Sequence, residues 1–275
     1  MRSTSSGSSG CRCGAPRSKR SREELLLSER IRIITYNIHR AIGVDRRFRP
    51  ERIAGILAHY DADLVLLQEV DEGVPRSREL DLARELAQAL DYPYFAVGHN
   101  VTLKKGRYGN ATLSRFPILR ETNLDLTIDS SAIGSLIRRG CQHTALALPG
   151  GGTLEAFNLH LGLSAREREK QVGLLVNSAE FRRVSPEVPL LVAGDFNDWR
   201  SLLRPIFTEV FGFRCATDRK GGWALRTYPS FSPQGGLDRI YYRGPFELSS
   251  IRSCRLQVSR VASDHLPVIA EFELT

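Results

Sequence analysis

The 275-residue sequence lacks the features that define several classes of protein. It has no apolar run near the roughly 18 residues of a membrane-spanning helix, and no apolar segment of signal-peptide length. Its five cysteines are odd in number and scattered, without the spacing of a disulfide framework or a zinc site. We therefore predict a cytoplasmic protein with reduced thiols and no transmembrane segment, and we expect it to be a monomer.

Acidic residues are missing from residues 1–22, which carry six arginine and lysine side chains. Of the formal net charge of +8, only +2 therefore belongs to residues 23–275. This balance lacks the strongly basic footprint of a tight, non-specific duplex binder. Residues 1–28, which are rich in Ser, Gly and Arg, are predicted to form a disordered tail that contacts polyanions or is simply solvated. A single folded domain is expected over residues 29–275.

The rest of the sequence alternates between strand and helix patterns. A β-branched run over residues 31–39, a helix that begins at Pro50 and an apolar run over residues 64–69 predict a βαβ unit. Helical spacing recurs over residues 77–90, where Ser77 is the predicted N-cap. The alternation of strands and helices in two halves predicts two packed sheets with helices outside.

One apolar stretch ends abruptly in polar residues. Residues 189–193 predict a buried strand, and Gly194 is expected to permit a sharp turn, so that Asp195 and Asn197 emerge at the strand's end. Side chains two apart on an extended segment point the same way, which places a carboxylate beside an amide. Taken alone, the pattern is explained more simply by a strand that ends in an Asx-type turn.

Polar side chains also recur at the predicted ends of other strands. Besides Asp195 and Asn197, they are Asn37, Glu69, His160, Asp238, Asp264 and His265. Oxygen and imidazole groups gathered at strand ends are what an α/β active site for a hard cation requires. Because the set is rich in oxygen and has no thiol, it favours Mg²⁺ or Mn²⁺ over structural zinc.

Six motifs that span residues 31–273 resemble, in content and order, those of the endonuclease/exonuclease/phosphatase superfamily, in particular its small bacterial stand-alone members. They are Thr35-Tyr36-Asn37, Leu67-Gln68-Glu69-Val70, Asn158-Leu159-His160-Leu161, Gly194-Asp195-Phe196-Asn197, Leu237-Asp238-Arg239-Ile240 and Ser263-Asp264-His265-Leu266-Pro267-Val268. The resemblance implies the DNase I-like α/β fold, a four-layer sandwich of two packed, mostly antiparallel sheets flanked by helices. It also implies a phosphoester hydrolase that depends on Mg²⁺ or Mn²⁺.

The resemblance further implies which side chains hold the metal. Glu69 is expected to bind the divalent ion with help from Asn37 and Asp264. A guanidinium group suits an anionic substrate. The predicted contacts of the substrate phosphate are Arg76, Asn110 and Arg139.

The catalytic roles implied by the resemblance fall on five residues. Asp195 and Asn197 orient water and phosphate, His265 works as a pair with Asp238, and His160 faces the non-bridging oxygens. This assignment is chemically coherent, because attack on an anionic phosphodiester needs a cation, a base for the water and donors for the phosphorane oxygens. The sequence leaves open whether Asp195 or His265 is the general base.

The favoured hypothesis is a metal-dependent phosphodiesterase or nuclease-like enzyme, and two alternatives remain open. One alternative is a phosphoesterase of the same fold that acts on phospholipids, sphingolipids or small molecules. Another is a catalytically idle module that binds a polyanion through its basic tail. The loop aromatics Trp199, Trp223 and Tyr228 suit a base, a sugar or a lipid head group equally.

Overall fold

The computed structural model describes residues 30–130, 135–219 and 223–274. The predicted tail, residues 1–28, lies outside the described residues, so its disorder stays a prediction. Within the described ranges, no helix is both long and apolar enough to cross a membrane.

In the part of the chain that the structure describes, fourteen strands form two six-stranded sheets and one small ribbon. In spatial order, the first sheet contains β13 (Phe246–Ser253), β14 (Val268–Leu274), β1 (Arg30–Asn37), β2 (Leu64–Glu72), β4 (Arg107–Ser114) and β3 (Tyr94–Thr102). The second sheet contains β11 (Arg214–Cys215), β12 (Asp238–Arg243), β10 (Leu190–Asp195), β9 (Thr153–His160), β8 (Gly140–Ala147) and β5 (Ile118–Asp125). The ribbon pairs β6 (Ile128–Ser130) with β7 (Ser135–Ile137).

Each large sheet contains one parallel pair, β1 with β2 and β9 with β10, among antiparallel neighbours. The helices are α1 (Pro50–Tyr60), α2 (Leu82–Ala89), α3 (Ala165–Asn177), α4 (Ala179–Arg182) and α5 (Ser259–Ala262). Parallel neighbours need a crossover connection, which α1 provides in the first sheet and α3 with α4 in the second. The expected βαβ unit is therefore confirmed.

The strand alternation divides the core into three apolar layers. Ile33 and Leu66 of the first sheet pack against Leu191 and Ile240 of the second, which fills the space between the sheets. The opposite faces of the same strands pack against helices, α1 and α2 on the first sheet and α3 and α4 on the second. Because the central strands β1, β2, β9 and β10 are largely buried on both faces, both sheets are covered on both sides. The predicted four-layer α/β sandwich is confirmed.

The predicted start of the second helix is wrong. Helix α2 begins at Leu82, and the carboxylate of Asp81 caps it by accepting a hydrogen bond from the Arg84 amide at 3.1 Å. Ser77 instead lies in the short helical turn Pro75–Ser77, where its hydroxyl donates to the buried carboxylate of Asp71 at 3.0 Å. Both side chains are typical N-caps, so the choice depends on the tertiary partner of Ser77.

Gly194 does not open a turn, as the sequence suggested, but lies inside β10 with a φ of 139°. A Cβ atom at this position would lie 1.9 Å from the carbonyl oxygen of Leu159 in the neighbouring strand. Glycine is therefore needed for the close approach of β9 and β10. This approach sets the spacing between the last residues of the two strands, His160 and Asp195.

A buried amide, Asn158, ties the two sheets together beneath these strand ends. Its Nδ2 atom donates to the carbonyl oxygens of Leu67 and Ala111, both at 3.0 Å, and its Oδ1 atom accepts from Nε2 of Gln68 at 2.7 Å. Asn158 belongs to the second sheet and its three partners to the first. An apolar side chain would leave the buried carbonyls of Leu67 and Ala111 without this donor, whereas Nε2 of Gln68 would keep its bonds to Thr35 and Leu66.

We expect Asn158→Leu to lower the free energy of unfolding by about 3–5 kcal/mol, because each buried group left unpaired costs about 1–3 kcal/mol. Urea unfolding followed by circular dichroism measures this loss. The matched control is Asn177→Leu on α3, where the exposed amide donates to the Gly173 carbonyl and accepts from the exposed Arg182 guanidinium. We expect a change within about 0.5 kcal/mol for the control. Equal effects of the two substitutions would contradict the role given to Asn158.

Candidate active site

The predicted polar side chains gather at one end of the two sheets. Asn37, His160 and Asp195 are the last residues of β1, β9 and β10, and Asp238 is the first residue of the antiparallel β12. Asp195 pairs in register with His160 on one side and with Asp238 on the other. The strand order of the second sheet therefore places an imidazole and a carboxylate beside the Asp195 backbone.

Asp195 is the centre of this group and is only 1% exposed. Its Oδ2 atom accepts a hydrogen bond from Nδ2 of Asn37 at 3.1 Å and lies 3.5 Å from Nε2 of both His160 and His265. Its Oδ1 atom accepts from the backbone amide of Asn197 at 2.9 Å. Burial alone would raise the pKa of Asp195, but the two imidazoles and these hydrogen bonds lower it. Asp195 is therefore a carboxylate at neutral pH.

His265 and Asp238 form a buried pair, as the motif resemblance implies. Nδ1 of His265 lies 2.9 Å from Oδ2 of Asp238. Burial alone would lower the pKa of His265, but the carboxylates of Asp238 and Asp195 raise it to about 10. Burial raises the pKa of Asp238. One ligand atom of each of Asp195, Asp238 and His265 lies within 4.8 Å of those of the other two.

His160 differs from His265 in its charge. Burial lowers the pKa of His160, and this effect exceeds the opposing attraction of Asp195. Its Nε2 atom faces the Asp195 carboxylate at 3.5 Å. The site thus combines one neutral imidazole with one imidazolium, both directed at the same carboxylate oxygen.

Glu69 does not end its strand, as the apolar run predicted, because β2 continues to Glu72. The pairing of β2 with β4 shifts between Leu67 and Val70, and Glu69 has a φ of 59°. This β-bulge interrupts the alternation of the strand and aims the carboxylate at the site. A positive φ on glutamate is a strained conformation of the kind found at functional sites.

The bulge places Glu69 between an amide and a guanidinium. Its Oε1 atom lies 3.4 Å from Nδ2 of Asn37, and its Oε2 atom lies 3.4 Å from Nε of Arg40. Burial alone would raise the pKa of Glu69, but His160, Arg40 and the hydrogen bond from Asn37 lower it. Glu69 and Asp195 thus share Asn37 as a neighbour, and both are ionised.

Asp264 approaches the same strand end through the segment that precedes β14. The hydroxyl of Ser263 donates to the backbone carbonyl of Asn37 at 2.7 Å, which fixes this segment against β1. The Asp264 side chain is partly exposed, with Oδ1 4.0 Å from Nδ1 of His39. The three predicted metal ligands, Asn37, Glu69 and Asp264, are therefore all carried by segments that meet at the end of β1.

The three predicted phosphate contacts have protein partners in the structure. Arg76 donates to both carboxylate oxygens of Asp71, at 2.8 and 2.7 Å. The Asn110 amide, 1% exposed, donates to the carbonyl oxygens of Gly140 and Asn158. Arg139 donates to the Leu161 carbonyl at 3.1 Å. Their contact with substrate stays a prediction.

Arg40 lies in the site but was missed by the sequence reasoning, whereas Tyr228 was named only as one of three loop aromatics. Arg40 belongs to a turn, His39–Ala41, in which all three residues have positive φ, and no sequence pattern predicts such a turn without glycine. The Tyr228 ring lies over His265 with centroids 4.9 Å apart. The sequence signal for Tyr228 was only its aromatic character in a loop.

Comparison with known proteins decides the family. The sequence model of the Endonuclease/Exonuclease/phosphatase family matches residues 34–265. The chain belongs to this family. Its members are phosphoester hydrolases, and the match contains every residue of the group described above.

One relative covers nearly the whole chain. The "Uncharacterized protein YbhP" of Escherichia coli (strain K12) is 32% identical over 253 residues, which are 88% of this chain and 96% of the relative. The fold is also that of an endonuclease/exonuclease/phosphatase from Beutenbergia cavernae DSM 12333, with a TM-score of 0.72 at 21% identity. That alignment covers 89% of this chain and 72% of the other.

Two further solved structures with this fold carry informative names. The mannosyl-6-phosphatase Bt3783 of Bacteroides thetaiotaomicron VPI-5482 has a TM-score of 0.67 at 18% identity, covering 88% of this chain and 99% of that chain. TDP2 of D. rerio, crystallised with a single-strand DNA product, has a TM-score of 0.68 at 17% identity, covering 89% of this chain and 99% of that chain. These similarities establish the fold of the family member described here.

Proposed function

We propose that this protein is a divalent-metal-dependent phosphodiesterase or nuclease-like hydrolase. The observation that carries the proposal is the buried Asp195 carboxylate, which faces two imidazoles and one amide at 3.1–3.5 Å. An ionised carboxylate in this position suits proton abstraction from water, and the surrounding N–H groups suit the oxygens of a phosphate. The intact group also argues against an idle module that only binds polyanions.

The donor set fits a hard divalent ion such as Mg²⁺ or Mn²⁺. Asn37, Glu69 and Asp264 supply oxygen atoms, and the contacts of the Glu69 carboxylate with Asn37 and Arg40, each 3.4 Å, are long for hydrogen bonds. We assign these three residues as the ligands. When bound, the ion neutralises charge that develops on the phosphate oxygens during attack.

Asp195 is the general base in the proposed reaction. A histidine whose pKa is raised to about 10 is protonated at neutral pH and cannot accept the proton of water. Asp195 is ionised and can accept it. As the oxygen of water bonds to phosphorus, its proton passes to Asp195, the bond to the leaving oxygen breaks, and that oxygen takes up a proton from solvent water.

The remaining side chains bind and orient the phosphate. His265 donates from Nε2 to a phosphate oxygen, and Asp238 fixes its orientation by accepting from Nδ1. His160 presents its Nε2 atom from the other side of Asp195. Asn197 donates to the Leu161 carbonyl at 3.0 Å and thereby fixes the loop after β10. Each of the predicted catalytic residues thus has a role in the proposal.

The substrate of this site is a phosphoester, for which two classes have support. A nucleic acid is supported by the fold shared with TDP2, and a small-molecule phosphate by the fold shared with a mannosyl-6-phosphatase. A panel of plasmid DNA, abasic duplex, RNA, phospholipid and sugar phosphate, assayed side by side, separates them. The monomeric state, the cytoplasmic location and tail contacts with polyanions stay predictions.

Removal of divalent ions is expected to reduce hydrolysis of bis(4-nitrophenyl) phosphate by at least about 100-fold, since the ion supplies several kcal/mol of charge stabilisation. The release of nitrophenolate in Mg²⁺ buffer, before and after addition of EDTA, measures the loss. EDTA already saturated with Mg²⁺ is the control and should leave the rate unchanged. Turnover that survives chelation would refute the metal dependence.

A further inference from the structure

Two aromatic rings in contact, those of Tyr228 and Trp199, extend from the catalytic centre to the protein surface. The Tyr228 ring lies over His265, with centroids 4.9 Å apart and planes at 53°. The Trp199 indole meets Tyr228 edge-on, with centroids 5.6 Å apart and planes at 90°. His265 is buried, whereas Trp199 is 55% exposed. The two rings therefore form a ledge that begins at the proposed phosphate position and ends in solvent.

The protein holds this ledge in place. The backbone amide of Ser230 donates to the Asp264 carbonyl, and its hydroxyl donates to the Ser263 carbonyl, both at 2.7 Å. These bonds fix the loop that carries Tyr228 to the catalytic segment. Gly235 lies so close to the indole of Trp199 that a Cβ atom would come within 2.6 Å of it. The indole thus rests on backbone, which limits its motion.

The side of the centre around Glu69 carries two guanidinium groups besides the Tyr108 hydroxyl. Nε of Arg40 lies 3.4 Å from the Glu69 carboxylate. Arg139 lies near enough to His160 for its charge to contribute to the lowered pKa of that imidazole. An anionic phosphate bound at His265 is attracted toward these cations, so the organic group bonded to it is left to face the rings. The polarity of the site therefore orients a phosphoester with its organic group toward the rings.

We propose that Trp199 and Tyr228 form a subsite that stacks a planar ring of the substrate next to the reacting phosphate. This inference rests on the proposed function, because it takes the phosphate to bind at His265. Two rings at right angles offer a flat face and an edge, which complement a planar group. A flexible alkyl chain gains less from the same surface, since it must lose rotational freedom to lie against it. The ring is a nucleobase or a simple aryl group.

The composition allows the subsite to be observed directly. The chain has two tryptophans, Trp199 and Trp223, so Trp223→Phe leaves Trp199 as the sole indole reporter. Phosphonates resist hydrolysis because of their carbon–phosphorus bond, so binding can be followed in Mg²⁺ buffer without turnover. The probes are benzylphosphonate, a thymidine 5′-phosphonate and propylphosphonate, of which the last has no ring.

We expect saturable quenching of Trp199 fluorescence by benzylphosphonate, by the thymidine phosphonate or by both, and none by propylphosphonate. Quenching by both identifies any planar ring as the ligand, whereas quenching by one identifies its source as aryl or nucleobase. Equal quenching by propylphosphonate, or no saturable quenching by either ring compound, would overturn the subsite.

Calorimetry on the full chain tests which residue causes the preference for a phosphonate with a ring over propylphosphonate. In Trp199→Ala, the ratio of affinities for the preferred ring phosphonate and propylphosphonate should fall about tenfold, in keeping with the known contribution of base–aromatic stacking. The matched control is Trp223→Ala, which removes an indole that is 68% exposed and is not one of the two rings of the ledge. This variant should keep the affinity ratio of the native protein. An unchanged ratio in Trp199→Ala, with its thermal unfolding intact, would overturn the proposal.

The subsite and the proposed reaction can fail separately. A ring preference at Trp199 in a protein that does not hydrolyse phosphodiesters would refute only the reaction. Chelator-sensitive hydrolysis without any ring preference would refute only the subsite.

Discussion

Asp195→Asn is expected to lower kcat for phosphodiester hydrolysis by about 10³- to 10⁴-fold, the upper range for loss of a general base. The substitution keeps the size of the side chain and an oxygen that can accept from Asn37. It removes the negative charge that faces His160 and His265, each 3.5 Å from Oδ2 in the native protein. Proton abstraction from water is thereby lost while the strand ends keep their positions.

Asp125→Asn is the matched control for this experiment. Asp125 is exposed at the end of edge strand β5, where it accepts from the Thr127 amide at 2.8 Å, and it makes no contribution to the site. Its replacement should leave kcat within about twofold, as for surface substitutions in general. Steady-state rates of nitrophenolate release in saturating Mg²⁺ compare the variants. An Asp195→Asn enzyme with more than a tenth of native kcat would exclude Asp195 as the base.

Much of the site could be predicted because it depends on strand ends. Asn37, His160 and Asp195 each follow an apolar run, and such runs predict buried strands regardless of how the sheet is arranged. The carboxyl ends of β9 and β10 meet because those strands are parallel neighbours. The order of the six motifs then indicated the family. The sequence did not predict the charge state of each group, because this depends on burial and on neighbouring charges.

The parts that were mispredicted or missed depend on backbone conformation and long-range contacts. The bulge at Glu69 requires a positive φ in a residue that carries no local signal for it. The same holds for the left-handed turn at Arg40. Ser77 and Asp81 are equally good caps in sequence, and the Asp71 carboxylate decides between them by accepting from Ser77. Local propensity cannot distinguish such alternatives when a distant partner selects one.

The aromatic ledge formed by Trp199 and Tyr228 also depends on contacts between residues far apart in sequence, which local sequence patterns do not predict. Trp199 follows β10, whereas Tyr228 lies 29 positions further along the chain, in a loop before β12. Each is a loop aromatic in sequence. Their common function arises only because the Ser230 backbone is bonded to the Asp264 carbonyl, which brings the second loop over His265. The hydrogen bond between Ser230 and Asp264 thus connects the catalytic segment to the loop that, in our proposal, selects the substrate.

Asp238→Asn is expected to reduce kcat by about 10³- to 10⁴-fold, comparable to the loss seen when a histidine elsewhere loses its orienting carboxylate. The Asp238 carboxylate accepts from Nδ1 of His265 at 2.9 Å and stabilises the imidazolium. An amide carries no charge, and its nitrogen can face Nδ1 as a donor, which favours the tautomer with the proton on Nε2 and a neutral ring. The charge that His265 offers to the phosphate is then lost, although the imidazole stays in place.

The chain offers a matched control for this prediction in a second buried histidine–carboxylate pair. His143 of β8 and Glu155 of β9 are hydrogen-bonded through Nε2 and Oε2, five residues before the site along β9. Glu155→Gln changes the same chemistry away from the catalytic centre, so kcat should stay within about threefold of native. Steady-state kinetics and ¹⁵N NMR of the imidazole nitrogens test both variants. If Asp238→Asn lost the imidazolium signal of His265 but kept its kcat, the charge of this histidine would have no part in catalysis.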